Sequence, residues 1–475
     1  MEYVLGFIVG FLLVLVIRAL CFKPKAQKPV DESPVSFEQD AAVTALQKLV
    51  QCKTVSYNDP ALEDDEEFGK LIDLLPGLYP KVFEACTLQK LPGRALLFRW
   101  PGKSAQKPAV LLAHYDVVPV REELWEKPPF AGIIEDGVLW GRGTLDTKVT
   151  MNGALFAANT LLEQGFTPEN DIYFAFSGGE EVNGPGAKNI VDWFGENKIT
   201  PAIVVDEGGA VVENVFPGVK VPSGMVGIAE KGMMNVRYTV HSGGGHASAP
   251  LPKTPITSLA TACRKVVDNP FKMHLNKPAA LMFDTLARHS SFVYKLIFAN
   301  LWIFKPVLDM ICKSSGGEMN ALVRTTTAFT QAEGSTARNV IPAQASLVSN
   351  MRLSPMDSVA SAESYLKKVV NDPDVEIEVL ESFEPSPVSE VNCDAYYRVA
   401  DAVAETWRGC VVTPYLMVQC SDSRHYRDLS KNVYRFSAMD LTAEERRTIH
   451  GNNERIRLET IGKAVEFYIR LIKKC

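Results

Sequence analysis

The sequence predicts an α/β body interrupted by a smaller α+β unit and preceded by a helix long enough to cross a membrane. Three observations carry that expectation. Short apolar runs of strand length each end on a candidate ligand, and open α/β sheets place their sites at the carboxyl ends of strands. A later block carries its own strand and helix patterns. Residues 3 to 22, YVLGFIVGFLLVLVIRALCF, are apolar except for Arg18, and about 20 such residues span a bilayer core as a helix.

That N-terminal stretch leaves a buried helix almost no polar face. Glu2 precedes it, whereas Arg18, Lys23, Lys25 and Lys28 follow, the reverse of a secretory signal's charged start. Residues 1–22 are therefore expected to form a single-pass anchor, with the catalytic part on the cytoplasmic side by the positive-inside rule. A cleaved or outward-facing arrangement is the alternative. Residues 23–40, charged and proline-bearing, read as a tether, and EDDEE at 63–67 as a solvated acidic face.

The 475 residues exceed what one hydrophobic core organises, so two domains are expected beyond the anchor. A net charge of -6 gives no basic footprint, which excludes nucleic acid as an expected partner. The nine cysteines form no CxxC pair and read as free thiols in a reducing compartment.

The catalytic body is expected over 41–226 and 383–475, with the insertion over 227–382. In the body, AVLLAH reaches His114 with Asp116 two residues on, DIYFAFSGG reaches Glu180 and Glu181, and PAIVVD reaches Asp206. Asp146 stands in the glycine-framed loop GRGTLD before a helical pattern, and His450 in IHGNNERI before the C-terminal one. Singly, each has an ordinary structural role: a hydrogen-bonded strand-end histidine, or an aspartate capping a helix. Together, imidazole and carboxylate without thiolate suit zinc or a similar divalent ion. The neighbouring Glu180 and Glu181 then divide the work, because a carboxylate committed to a metal accepts a proton poorly and a second must serve as base.

In order, AHYDVVP, GRGTLDTK, SGGEEVNGPGA, VVDEGG, GGHASAP, ARNVIP, SDSRHY and HGNNERI resemble the motifs of the zinc-dependent aminoacylase and carboxypeptidase family. The carboxypeptidase S branch, which includes fatty N-acyl amino acid hydrolases, is the nearest in appearance. The resemblance covers roughly residues 40 to 475. It implies a zinc-exopeptidase-like catalytic domain with an inserted α+β lid or dimerisation domain, and two zinc ions per chain. Asp146 would bridge them, with His114 and Asp206 on one and Glu181 and His450 on the other. Glu180 would be the general base, and Asp116 would orient His114 through its far nitrogen. His246 would steady the oxyanion, often from the neighbouring subunit of a homodimer, while Asn339 and Arg352 would handle the substrate's backbone and carboxylate. Cys420 departs from the pattern of many relatives, which carry glycines and a threonine before the aspartate of SDSRHY.

The resemblance implies hydrolysis of the amide bond next to a free amino acid carboxylate, in a short peptide or an N-acyl amino acid. A non-catalytic binding or assembly scaffold retaining the fold is the competing reading, and it predicts damage among the ligands or the base; none is present. The aromatic and aliphatic stretch 290–312 is broken by Lys295, Lys305, Pro306 and Asp309, which argue against a second span. It is expected as helical core or a dimer contact, with an acyl tunnel or a membrane-leaning surface as the sharper alternative.

Overall fold

The computed structural model describes the chain apart from residues 27–28 and 216–217, so Lys28 lies outside the described residues. At its centre is an eight-stranded mixed sheet. Its order is Thr87–Leu91, Ala95–Trp100, Asn170–Ser177, Ser104–His114, Ile203–Val212, Val433–Leu441, Ser223–Glu230 and Val411–Met417. The runs that end in candidate ligands form the parallel middle of this sheet. Both faces there are buried, and for that reason these strands read as continuous apolar runs.

One face is covered by helix Lys148–Glu163, which packs against Gln39–Val50 and Leu458–Lys474. The last of these buries Ile461, Ala464, Val465, Tyr468 and Ile472, spaced as one helical face. Each such fully buried large apolar side chain stabilises the body by about 1.5–3 kcal/mol. Helix Gly186–Glu196 covers the other face through Ile190 and Phe194.

A second, antiparallel sheet has the order Thr326–Glu333, Gln344–Leu353, Gly232–His241 and Glu376–Phe383. Helices Pro255–Asp268 and Val359–Val370 lie on it, each opened by a capping box, at Thr254 and at Ser358. Met234, Val236, Tyr238, Leu259 and Leu366 give this unit its own core.

One expected boundary changes, and the insertion is not one continuous unit. The insertion was expected to begin at 227, but Ser223–Glu230 pairs with Val411–Met417 in the larger sheet, and the smaller sheet begins at Gly232. Within the insertion, helix Lys277–Ala287 packs on Val411–Met417, and Met282, Phe283 and Leu286 join the larger core. The chain thus leaves the small unit and returns to the large one before re-entering at Thr326. The tether is also not free: Arg408 Nη2 donates to Glu32 O at 2.7 Å and Arg470 Nη2 to Ser33 O at 2.9 Å.

Glu2–Cys21 is a single helix on which only Leu15 and Ala19 are buried. It is long and apolar enough to cross a membrane, a test that a signal sequence also passes.

Candidate active site

His114 ends its strand and pairs in register with Ser177, so the turn after Ser177 delivers Glu180 and Glu181 beside the imidazole. Gly178 is required by that turn's packing, since a Cβ there would lie 2.7 Å from the Tyr115 ring. Asp146 arrives from the turn before helix Lys148–Glu163. His114 Nε2 lies 3.0 Å from Asp146 Oδ1, and His450 Nε2 lies 3.0 Å from Asp146 Oδ2 and 3.0 Å from Glu181 Oε2. Four of the five expected ligands, His114, Asp146, Glu181 and His450, therefore converge, with Glu180 next to them.

Asp206 does not join them. Its Oδ2 accepts from Ser423 N at 2.7 Å and its Oδ1 from Glu207 N at 2.8 Å. Glu207 takes the position expected of it, with Oε1 3.3 Å from His114 Nε2. The cause is a break in the strand ladder: Arg435 is opposite Asp206 but Phe436 is opposite Gly209, so Glu207 and Gly208 bulge out unpaired. A bulge bends the strand locally and re-aims a side chain. The glycines permit it. Gly208 has φ +146°, and a Cβ on Gly209 would stand 1.7 Å from Met225 O. The signal was present as a second acidic doublet, Asp206–Glu207, followed by two glycines.

Two further carboxylates act on the backbone of the site. His114 Nδ1 lies 3.0 Å from the main-chain oxygen of Asp116 and 3.4 Å from its Oδ1. The Asp116 carboxylate accepts from Glu180 N at 3.1 Å and Glu181 N at 3.2 Å, so it holds the paired glutamates as well as the imidazole. Glu454 Oε1 accepts from Gly143 N, Leu145 N and Asp146 N at 3.1, 2.7 and 3.2 Å, while Arg142 Nη1 donates to Oε2 at 2.6 Å. Glu454 lies four residues beyond His450, so one C-terminal segment contributes an imidazole and ties down the Asp146 loop.

The charges in this site do not balance internally. Burial, then neighbouring acids, push Glu180 well above the usual carboxylate range, and burial pushes Glu207 up to about 8. Burial and Asp146 raise Glu181. Burial opposes ionisation of Asp146, but hydrogen bonds from His114 and His450 outweigh it and hold that carboxyl low. Hydrogen bonds to Asp146 and Glu181 in turn lift His450 to about 11. Buried acids crowded this closely call for added positive charge. Two groups, His114 with Asp146 and Glu181, and His114 with Glu180 and Glu207, each bring their ligand atoms within 4.8 Å of one another. Imidazole and carboxylate oxygen in these numbers fit zinc or a similar divalent ion.

These groups open into a cavity of about 510 Å³. Its lining also includes the apolar side chains of Val212, Met225, Met417, Met439, Leu441 and Ile449. Arg424 stands at its polar end with Nη1 3.8 Å from Glu180 Oε1, a neighbour that sequence reasoning missed within SDSRHY. Arg352 reaches the rim, where Nη1 lies 2.9 Å from Sγ of Cys420, which lines the cavity. His246 and Asn339 lie together on the smaller unit, joined by Ala247 N to Asn339 O at 3.0 Å. Both are exposed and neither lines this cavity.

Comparison with known proteins follows the same lines. The model of Peptidase family M20/M25/M40 matches residues 110–474. The chain is 35% identical to the probable carboxypeptidase S-like 2 of Dictyostelium discoideum, over 98% of this chain and 92% of that protein. It is 37% identical to the N-fatty-acyl-amino acid synthase/hydrolase PM20D1 of Xenopus tropicalis, over 92% of this chain and 86% of that protein. Among solved structures, the M20 family metallo-carboxypeptidase Sso-CP2 from Sulfolobus solfataricus superposes with a TM-score of 0.67 at 17% identity. The match covers 91% of this chain and 98% of that one, a likeness of fold.

Proposed function

The chain belongs to peptidase family M20/M25/M40, a family of metal-dependent peptidases and amidohydrolases, and on that premise we propose that it is a membrane-anchored dinuclear zinc hydrolase of N-acyl amino acids. The observation that carries this reading is the cavity itself, which joins the paired acidic groups around His114 to a lining that includes Met225, Met417 and Met439. Asp146 would be shared by two ions, with His114 and Glu207 on one side and Glu181 and His450 on the other. Ions held there supply Lewis-acid polarisation of the scissile carbonyl and lower the pKa of the attacking water.

The chain's own groups do the rest. Glu180, whose carboxyl is raised by burial, takes the proton from the attacking water as a carbon–oxygen bond forms at the amide carbon. It passes that proton to the departing nitrogen as the carbon–nitrogen bond breaks, leaving a carboxylic acid and a free amino acid. Asp116 keeps Glu180 and Glu181 in place through their amides. Arg424 and Arg352 are the cations available at the rim to the substrate's carboxylate. His246 and Asn339 would reach the substrate from a closed insertion or from a second subunit.

The acyl side follows from the apolar part of that lining, where each buried methylene is worth about 0.8 kcal/mol, close to fourfold in affinity. Turnover of N-acetyl amino acids, N-oleoyl amino acids and dipeptides by the full-length protein tests it. The N-oleoyl compounds are expected to lead by at least about tenfold in kcat/KM. Preference for dipeptides would replace this reading with the carboxypeptidase one suggested by the Dictyostelium relative.

A further inference from the structure

The helices Phe292–Ala299 and Leu301–Ser315 meet in an elbow at Asn300, where LIFANLWIF, residues 296–304, carries no charge and is flanked by Lys295 and Lys305. Its first helix, Phe292–Ala299, runs antiparallel alongside the N-terminal helix. Beginning at the end of that helix, the Arg288 guanidinium lies 4.1 Å from the Phe22 ring and its Nη1 donates to Lys23 O at 3.0 Å. Further along, Arg18 Nη2 donates to Ala299 O at 2.8 Å and Arg18 Nε to Asn300 Oδ1 at 3.0 Å. Asn300 Nδ2 donates to Leu15 O at 3.0 Å, and the Phe11 and Trp302 rings meet edge to face at 5.9 Å.

We propose that this elbow is immersed with the N-terminal helix in the bilayer leaflet next to the catalytic body, its partner being a phospholipid membrane. The inference rests on the reading of residues 1–22 as a spanning anchor. Leu15 and Phe11 lie six and ten residues before Cys21, about 9 and 15 Å along the axis at 1.5 Å per residue. A helix of this length needs its whole extent to cross a core of about 30 Å. Whatever packs beside Leu15 and Phe11 therefore lies below the headgroups, at a depth reduced by any tilt of the helix.

The chemistry of the elbow agrees. Trp302 is 62% exposed, Ile303 38% and Phe292 46%, and Trp302 continues the exposed apolar surface of the anchor through its contact with Phe11. Lys295 and Lys305 stand where long side chains can reach back to the headgroups. Arg18, the one charge within the apolar span, finds its partners on the elbow, and Asn300, fully buried, bonds both helices. The anchor and the body are therefore fitted to each other. After the elbow, helix Gly317–Ala321 carries Glu318 to the catalytic cavity, where Tyr415 Oη donates to it at 2.7 Å and Arg446 Nη1 pairs with it at 3.5 Å. A substrate whose acyl chain partitions into lipid would meet the cavity from this side.

Tryptophan quenching by brominated phosphatidylcholine in nanodiscs tests the inference on the full-length protein. Residues 1–22 contain no tryptophan, so Trp302 is the reporter at the lipid surface. Bromine at mid-chain positions is expected to quench part of the emission of the parent, and Trp302→Phe to abolish that quenched fraction. Equal quenching in both proteins, or none in a parent that alkaline carbonate fails to strip from vesicles, would overturn the elbow's immersion while leaving the anchor standing. Release of the parent by carbonate would overturn both.

Discussion

The site contains two acidic doublets at strand ends, Glu180–Glu181 and Asp206–Glu207, and the backbone treats them differently. After Ser177 the chain turns through a short 3-10 segment, and both glutamates reach the cavity. In Ile203–Val212 the strand continues through a bulge, so that Glu207 enters the cavity while Asp206 is held by Ser423 N in the sheet. A pair of carboxylates where a strand leaves the core thus marks a site, but the local backbone decides which member serves it.

The largest effect expected from testing this contrast is at Glu180. Glu180→Gln should lower kcat by about 10² to 10⁴ with bound metal retained, because the amide cannot accept the proton. Glu207→Gln should weaken metal binding by more than about 100-fold, measured by competition with a chromophoric chelator, since it removes one of the proposed ligands. Asp116→Asn should cost about 10- to 100-fold in metal affinity or activity, its new NH₂ facing an amide that formerly donated to oxygen. Asp206→Asn is expected to leave metal affinity within about threefold and to lower stability by about 1–3 kcal/mol, read from denaturant unfolding. If Asp206→Asn stripped the metal while Glu207→Gln did not, the distinction between the doublets would be reversed.

Much of this arrangement was legible in the sequence because strand ends are local features. AVLLAH, DIYFAF and PAIVVD have the length and composition of buried parallel strands, and their last residues fall at one edge of one sheet by topology alone. His114, Glu180 and Glu181 meet for that reason, while Asp146 and His450 reach them from loops that lead into helices. Asp206 misled because PAIVVD was expected to end there, whereas the strand runs on to Val212 through a bulge that depends on contacts with Phe436 and Met225 from distant parts of the chain. The same limit applies to residues 277–321. Their helical patterns were visible, whereas their docking on Val411–Met417 and on the N-terminal helix is tertiary.

The reach of Asp116 was likewise only half visible. The resemblance implied an orienting role beside His114, and the main-chain oxygen of Asp116, with its Oδ1 further off, stands at Nδ1. Its carboxylate instead spans the amides of Glu180 and Glu181, 64 and 65 residues away in sequence. Glu454 is the parallel case for the Asp146 loop. Both are positioning residues whose partners are backbone amides, and no spacing of side-chain types announces such a contact.

The division of labour within Glu180–Glu181 is tested most directly by metal content and turnover of the full-length protein beside Glu180→Gln and Glu181→Gln. Two divalent ions per chain in the parent and in Glu180→Gln, turnover in the parent alone, and loss of one ion in Glu181→Gln are the expected results. Turnover surviving in Glu180→Gln, or no metal bound to the parent under metal-replete conditions, would contradict the assignment.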